Sequence, residues 1–257
     1  SNAINGNSQQ GGTISTPINF ANGLTYTNGQ YSNYTLSGTI TGSGGLVKNG
    51  LNGSLTISGN NSYTGGTILN GNILTVTNNN GLGGAAGGTL RINGGTLSAP
   101  GRTLANNIEI NSNIGLIDSN NNGNITLTGT VDLLGGTRTL TLGGSVASAS
   151  TVTLSGAVTN GGIVKSGVSL LKLTGTNSYA GGTIINNGVI QFGADASIPS
   201  SGSILINNGG ALEVNATSGL TTVAAWLSSG KIDASSTGII SQKGSSSADV
   251  DFSAKGG

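Results

Sequence analysis

The chain of 257 residues has 48 glycines, no histidine, no cysteine, 7% charged residues and a formal net charge of +1. This composition removes imidazole bases, thiol nucleophiles, disulfides and the usual zinc tetrads together. With no Lys/Arg cluster it also removes a phosphate-binding surface, and nucleic acid as a partner. Low charge with abundant glycine describes disordered chains too, but those lack the aliphatic and β-branched residues that are plentiful here.

In chain order, Ser1-Asn2-Ala3 has the look of an expression-tag scar. Tyr26, Tyr31 and Tyr34 then fall close together in a stretch free of charge, as an aromatic cap over one end of a core would. Short alternating runs take over from there: Leu55 to Ile57, Ile73 to Thr77, Ile125 to Thr128, Arg138 to Leu142 and Thr151 to Leu154. Each has the period of two that marks a strand. Asn78-Asn79-Asn80-Gly81, Asn120-Asn121-Asn122-Gly123 and Gly143-Gly144 punctuate them with residues that tolerate positive φ. Helical character is limited to about one turn at Val223-Ala224-Ala225-Trp226-Leu227. The tail 245–257 is expected to fray. A signal peptide, a bilayer-spanning apolar run and a barrel-like set of ~10-residue strands are all missing, so the chain reads as an internal piece of a larger protein.

The strongest signal is long-range. Asn61-Ser62-Tyr63-Thr64-Gly65-Gly66-Thr67-Ile68 returns as Asn177-Ser178-Tyr179-Ala180-Gly181-Gly182-Thr183-Ile184, an offset of 179 − 63 = 116. Gly45-Leu46-Val47-Lys48 returns as Gly162-Ile163-Val164-Lys165, at 162 − 45 = 117. Ser37 to Thr41 returns as Ser155 to Thr159, and the Gly94-Gly95 pair as Gly209-Gly210. An offset that drifts by single residues is what small turn insertions between repeated strands produce. Strands this short do not suit a sandwich; with the repeat they predict a solenoid. The expected fold is all-β, a right-handed single-stranded parallel β-helix, the hand following from that of parallel crossovers. One domain, 1–257, with coils of about 20–25 residues gives roughly ten coils and a rod about 50 Å long at ~4.8 Å per coil. Asn61, Tyr63, Gly65, Gly66 and Thr67 should then form one corner. Asn177, Tyr179, Gly181, Gly182 and Thr183 should form its equivalent on another coil, each needing a glycine conformation closed to other residues.

The run Leu55 to Thr67, with Ile73-Leu74 and Gly94-Gly95-Thr96-Leu97 after it, resembles the passenger-associated transport repeat of bacterial autotransporters. The run Leu171 to Thr183, with Val189-Ile190-Gln191-Phe192 and Gly209-Gly210-Ala211-Leu212, resembles it a second time. Gly45 to Gly50 and Gly162 to Gly167 are similar to the coil that precedes such repeats. The resemblance covers roughly half the chain. It implies a β-helical passenger segment that is secreted to the cell surface through a C-terminal outer-membrane β-barrel lying outside this chain. It also accounts for the lack of cysteine, since disulfides hinder threading through a barrel. The partners it implies are that barrel and a host-cell or matrix receptor. The chain itself is expected as a monomer, with end-to-end association open.

Chemical motifs are sparse. The carboxylates are Glu109, Asp118, Asp132, Asp195, Glu213, Asp233, Asp249 and Asp251. Asp249 and Asp251 would share a face of a strand, and Asp195 and Glu213 are candidates for neighbouring coils, where glycosidase chemistry needs a pair about 5–10 Å apart. Corner and rim solubility is the plainer role for both pairs. Asp118 to Gly123 opens like a calcium loop, but Gly129 stands where the bidentate acid belongs and no helix flanks it. Gly81 to Ala86 fits a loose dinucleotide fingerprint, yet Gly87-Gly88-Thr89 follows it instead of a helix. Tyr63 and Tyr179 read as lids over a corner. No catalytic residue, metal ligand or cofactor is expected. The leading function is a non-enzymatic β-helical stalk that aids export and supports adhesion. The alternatives are a β-helix polysaccharide lyase or hydrolase, and a surface-binding solenoid such as an ice binder, for which Thr139-Leu140-Thr141 and Thr151-Val152-Thr153 have the spacing.

Overall fold

In the computed structural model the chain forms an all-β parallel solenoid with almost no helix. The structure describes residues 2–6, 11–28, 33–50, 52–116, 123–144, 150–193, 195–214, 220–242 and 245–251. Paired strands on successive coils are 18 residues apart at the shortest, Leu90 to Ile108, and 28 at the longest, Ala211 to Ile239.

The chain passes three faces in order. The first carries eight strands, from Asn2–Gly6 to Val158–Thr159, and the second carries ten, from Gly12–Ile14 to Ile204–Ile206. The third begins with a two-stranded piece, Ile18–Asn19 and Ile40–Thr41. It resumes at Arg102–Leu104 as an eight-stranded sheet. All these strands pair in parallel except the last two. There Ile239–Gln242 pairs antiparallel with Ser245–Asp251, so that part of the tail expected to fray is a strand.

Alternation builds the core. In a three-residue strand the first and third side chains go one way and the second the other. Leu55 and Ile57 are fully buried while Thr56 between them faces out. Leu55, Leu74, Leu97 and Leu116 stand in register on successive coils and form one continuous apolar row. Each such side chain contributes about 1.5–3 kcal/mol by leaving water. The short helix Val223–Ser228 closes the far end, N-capped by Thr222, whose Oγ1 accepts the Ala225 N–H at 3.1 Å. It buries Val223 and Trp226, and the indole stacks on Phe192 at 5.8 Å. The helical turn expected at Val223 to Leu227 is therefore the lid of the core.

Candidate functional site: two equivalent corners

Each repeat copy builds the same corner. Tyr63 is fully buried and its hydroxyl meets Thr67 Oγ1 at 2.6 Å; Tyr179 is fully buried and meets Thr183 Oγ1 at 2.8 Å. A phenol inside an apolar core must find a partner, and the threonine that turns inward four residues later supplies it. Burial pushes both phenols well above the ordinary tyrosine range, against the opposing pull of the threonine hydroxyl.

The asparagines bind three coils together. Asn61 Oδ1 accepts the Ile40 N–H at 2.8 Å, and its Nδ2 donates to the Gly81 carbonyl at 2.7 Å. Asn177 Oδ1 accepts the Val158 N–H at 2.8 Å, and its Nδ2 donates to the Ser197 carbonyl at 2.6 Å. Ile40 and Val158 belong to strands that end their sheets. Their backbone groups would be orphaned there, which is costly in a buried position. The asparagine amide stands in for the missing strand.

The glycines work by two mechanisms. Gly66 and Gly182 have φ of 78° and 79°, a left-handed conformation open to few other residues. Gly65 and Gly181 are required by close approach, because an added Cβ would lie 2.4 Å from the Gly45 nitrogen in one and 2.8 Å from the Gly161 carbonyl oxygen in the other.

The two corners sit on different sides of the rod, which the repeat itself does not reveal. The strand after the first, Thr67–Leu69, belongs to the first face, but its counterpart Thr183–Ile185 belongs to the second. The whole repeat is advanced by one face. In the first copy the loop 58–66 and the pass holding the 3-10 turn Gly84–Ala86 occupy the third face without a strand. In the second copy the loop 174–182 and the pass holding Asp195–Ser197 do the same on the first face. Each copy thus ends one sheet while the other two continue.

Two lysines complete the corners, and sequence reasoning assigned them no role. Lys48 and Lys165 are fully buried. Lys48 Nζ donates to the carbonyls of Asn49 (2.8 Å) and Gly71 (3.4 Å) and lies 5.6 Å from the Tyr26 ring centroid. Lys165 Nζ donates to the carbonyls of Ser166, Gly167 and Asn187. The signal available was the repetition of Gly-x-Val-Lys itself. Desolvation lowers both ammonium groups to about 8. Unfolded lysines therefore hold protons more tightly than folded ones between about pH 8 and 10.5, and stability should rise with pH across that window. The tyrosines reverse the trend above their unfolded value of 10.0, because the folded form keeps the phenol protonated. Urea midpoints should climb from pH 8 towards 10 and then fall. In a Lys48→Met/Lys165→Met double variant the climb should vanish; a climb of undiminished slope would refute this account.

Tyr26 is buried core, edge-on to Tyr34 at 5.8 Å, and Tyr31 lies outside the described residues. Residues 118–122 of the calcium-like loop also lie outside them. Gly81 to Ala86 ends in a 3-10 turn and no long helix follows it, and the carbonyls of Leu82 and Gly84 accept the Asn106 amide. Glu213 faces out on the third face and accepts Gln191 Nε2 at 2.7 Å, whereas Asp195 begins the 3-10 turn on the first. The structure instead sets Glu109 beside Asp132 in register, a pair the sequence reading missed. Glu109 is bridged by Arg91 at 2.5 Å, and Asp132 accepts Leu134 N–H and Asn160 Nδ2. Both carboxylates are engaged by neighbours. Among the described residues no three His, Cys, Asp or Glu side chains are grouped to hold a metal. Thr139 and Thr153, from the two Thr-x-Thr pairs of the ice-binding alternative, lie on different faces.

A family model described as the passenger-associated-transport-repeat matches residues 46–71 and 163–192. These segments contain both corners, Lys48 and Lys165. No curated protein and no solved structure matches the chain.

Proposed function

Since the chain carries two passenger-associated transport repeats, we propose that it is the stalk of an autotransporter passenger, non-enzymatic and displayed at the bacterial surface. The observation that carries this reading is the rebuilding of one corner, bond for bond, on two different faces. A binding or catalytic site depends on its surroundings and would not survive such a change of face; a device for stacking coils needs only the coil before and the coil after. We take the winding as right-handed, as parallel crossovers are. In a solenoid each coil contacts only its neighbours, so coils can fold one upon another as the chain emerges, and folding outside opposes back-sliding. The partner in export is the protein's own outer-membrane barrel, and adhesion to a host-cell or matrix receptor is a further role of the exposed stalk.

The test is made in the parent protein on the cell. Gly182→Val should delay the appearance of protease-accessible passenger at the surface, whereas a change at an outward, half-buried position such as Thr126→Ser should not. Unchanged kinetics in a variant shown to be destabilised would refute the export role. The enzymatic alternative would return if glycan products were released and their release ceased in Glu109→Gln or Asp132→Asn.

A further inference from the structure

The three faces differ in charge. Outward along the first run Thr25, Val47, Ile68, Arg91, Glu109, Asp132 and Thr159, in register. On the third the row includes Lys172, Gln191 and Glu213. The second face is the longest, and its charged outward residues, Lys231 and Asp233, stand at its far end beside Ile204; among the described residues none lies on the strands from Thr13 to Thr75. Its two buried or half-buried cations, Arg138 and Lys165, turn to backbone carbonyls instead.

That face carries a file of hydroxyls. Thr13, Thr35, Thr56 and Thr75 are register partners on four successive coils. The spacings are 35 − 13 = 22, 56 − 35 = 21 and 75 − 56 = 19 residues, so the file is invisible in the sequence. The exposed corner asparagines spend their amides on each other, as Asn70 does on Asn49 and Asn93 on Asn70. Among the described residues the four threonine hydroxyls have no hydrogen-bond partner, and neither does the amide of Asn72. Beside the file lies a shallow cavity of about 350 Å³ lined by Asn33, Gly53, Ser54, Asn72, Ile73 and Thr75. That volume falls at the lower end of small-molecule sites.

We propose that this strip binds an uncharged polysaccharide, laid along the rod over Thr13 to Thr75 with one sugar residue seated in the cavity at Asn33 and Asn72. Unspent hydroxyls and an unspent amide match the alternating donors and acceptors of sugar hydroxyls. A stretch without charge neither repels a neutral polymer nor must strip water from an ion to meet it. An acidic polymer would find no cation on the strands from Thr13 to Thr75. The proposal names a ligand for the stalk but does not depend on the export role.

The purified chain is sedimented with cellulose, chitin and starch granules, and separately with polygalacturonate and heparin beads. Retention is expected on at least one neutral polymer and on neither acidic one. Thr56→Lys and Thr75→Lys should bind at least about tenfold more weakly, since each puts an ammonium into the contact. Thr126→Lys, an equivalent outward position on the third face, should bind as the wild type does. Asn72→Gly removes the amide while suiting the φ of 55° at that position, so it tests the cavity without a folding defect. Four results would overturn the proposal: no retention on any neutral polymer, equal retention on acidic beads, equal loss in Thr126→Lys, or full binding by Asn72→Gly. Concentration-dependent dimers that protect the strip from hydrogen exchange would assign the face to a second copy instead. Normal surface display with no glycan retention would sink this inference and leave the stalk intact.

Discussion

Tyr179→Ala is expected to be among the most damaging single changes in the molecule, costing ~3–5 kcal/mol as a large buried aromatic is lost. The ring is fully buried beneath the corner, and Thr183 Oγ1 would be left in the core without its partner. Tyr179→Phe keeps the ring and removes only the hydroxyl, so it should cost about 1–2 kcal/mol through the orphaned threonine. The difference between the two separates packing from hydrogen bonding. Urea unfolding followed by tyrosine and tryptophan fluorescence gives both numbers. Hydrogen exchange should place the loss in the coils that touch residue 179, because coupling in a solenoid runs between neighbours. Equal costs for the two variants, or protection lost evenly along the rod, would contradict this picture.

Gly66→Val comes next. A φ of 78° costs a β-branched residue ~1–3 kcal/mol in backbone strain. The new Cβ would also lie 2.7 Å from the Thr89 carbonyl oxygen, against 3.0 Å from the Ser203 oxygen at Gly182. The backbone contact adds to the strain, so the first corner should suffer more than the second. Gly66→Ala and Gly182→Ala make the comparison with the smallest possible side chain. Thermal unfolding should rank Gly66→Ala below Gly182→Ala, and the reverse ranking would show that the carbonyl contact relaxes freely.

The strands were legible because alternation needs no distant information. Leu55-Thr56-Ile57 declares its buried and exposed sides by itself. The corners were legible because eight residues recur nearly unchanged. What the sequence hid is whatever depends on counting residues between coils. Coils range from 18 to 28 residues, so nothing local says that Thr13 and Thr35 are neighbours or that Glu109 meets Asp132. Nor does it say that the repeat changes face. Lys48 and Lys165 were hidden for another reason. Lysine is almost always exposed, and only the ring of corner carbonyls, which exists once the coils stack, makes its burial tolerable.

The advance of the repeat by one face has an evolutionary consequence. A rod built from whole coils can lengthen only by whole turns if its faces are to keep their roles. Here the same asparagine, tyrosine and glycine pair serve either of two sides, so the cross-section behaves as though its sides were interchangeable. Duplicated segments need not then match a full turn to be accommodated. Rods of this kind can grow by fractions of a turn, and a surface carried on one side can be steered around the axis by the length of what is inserted before it.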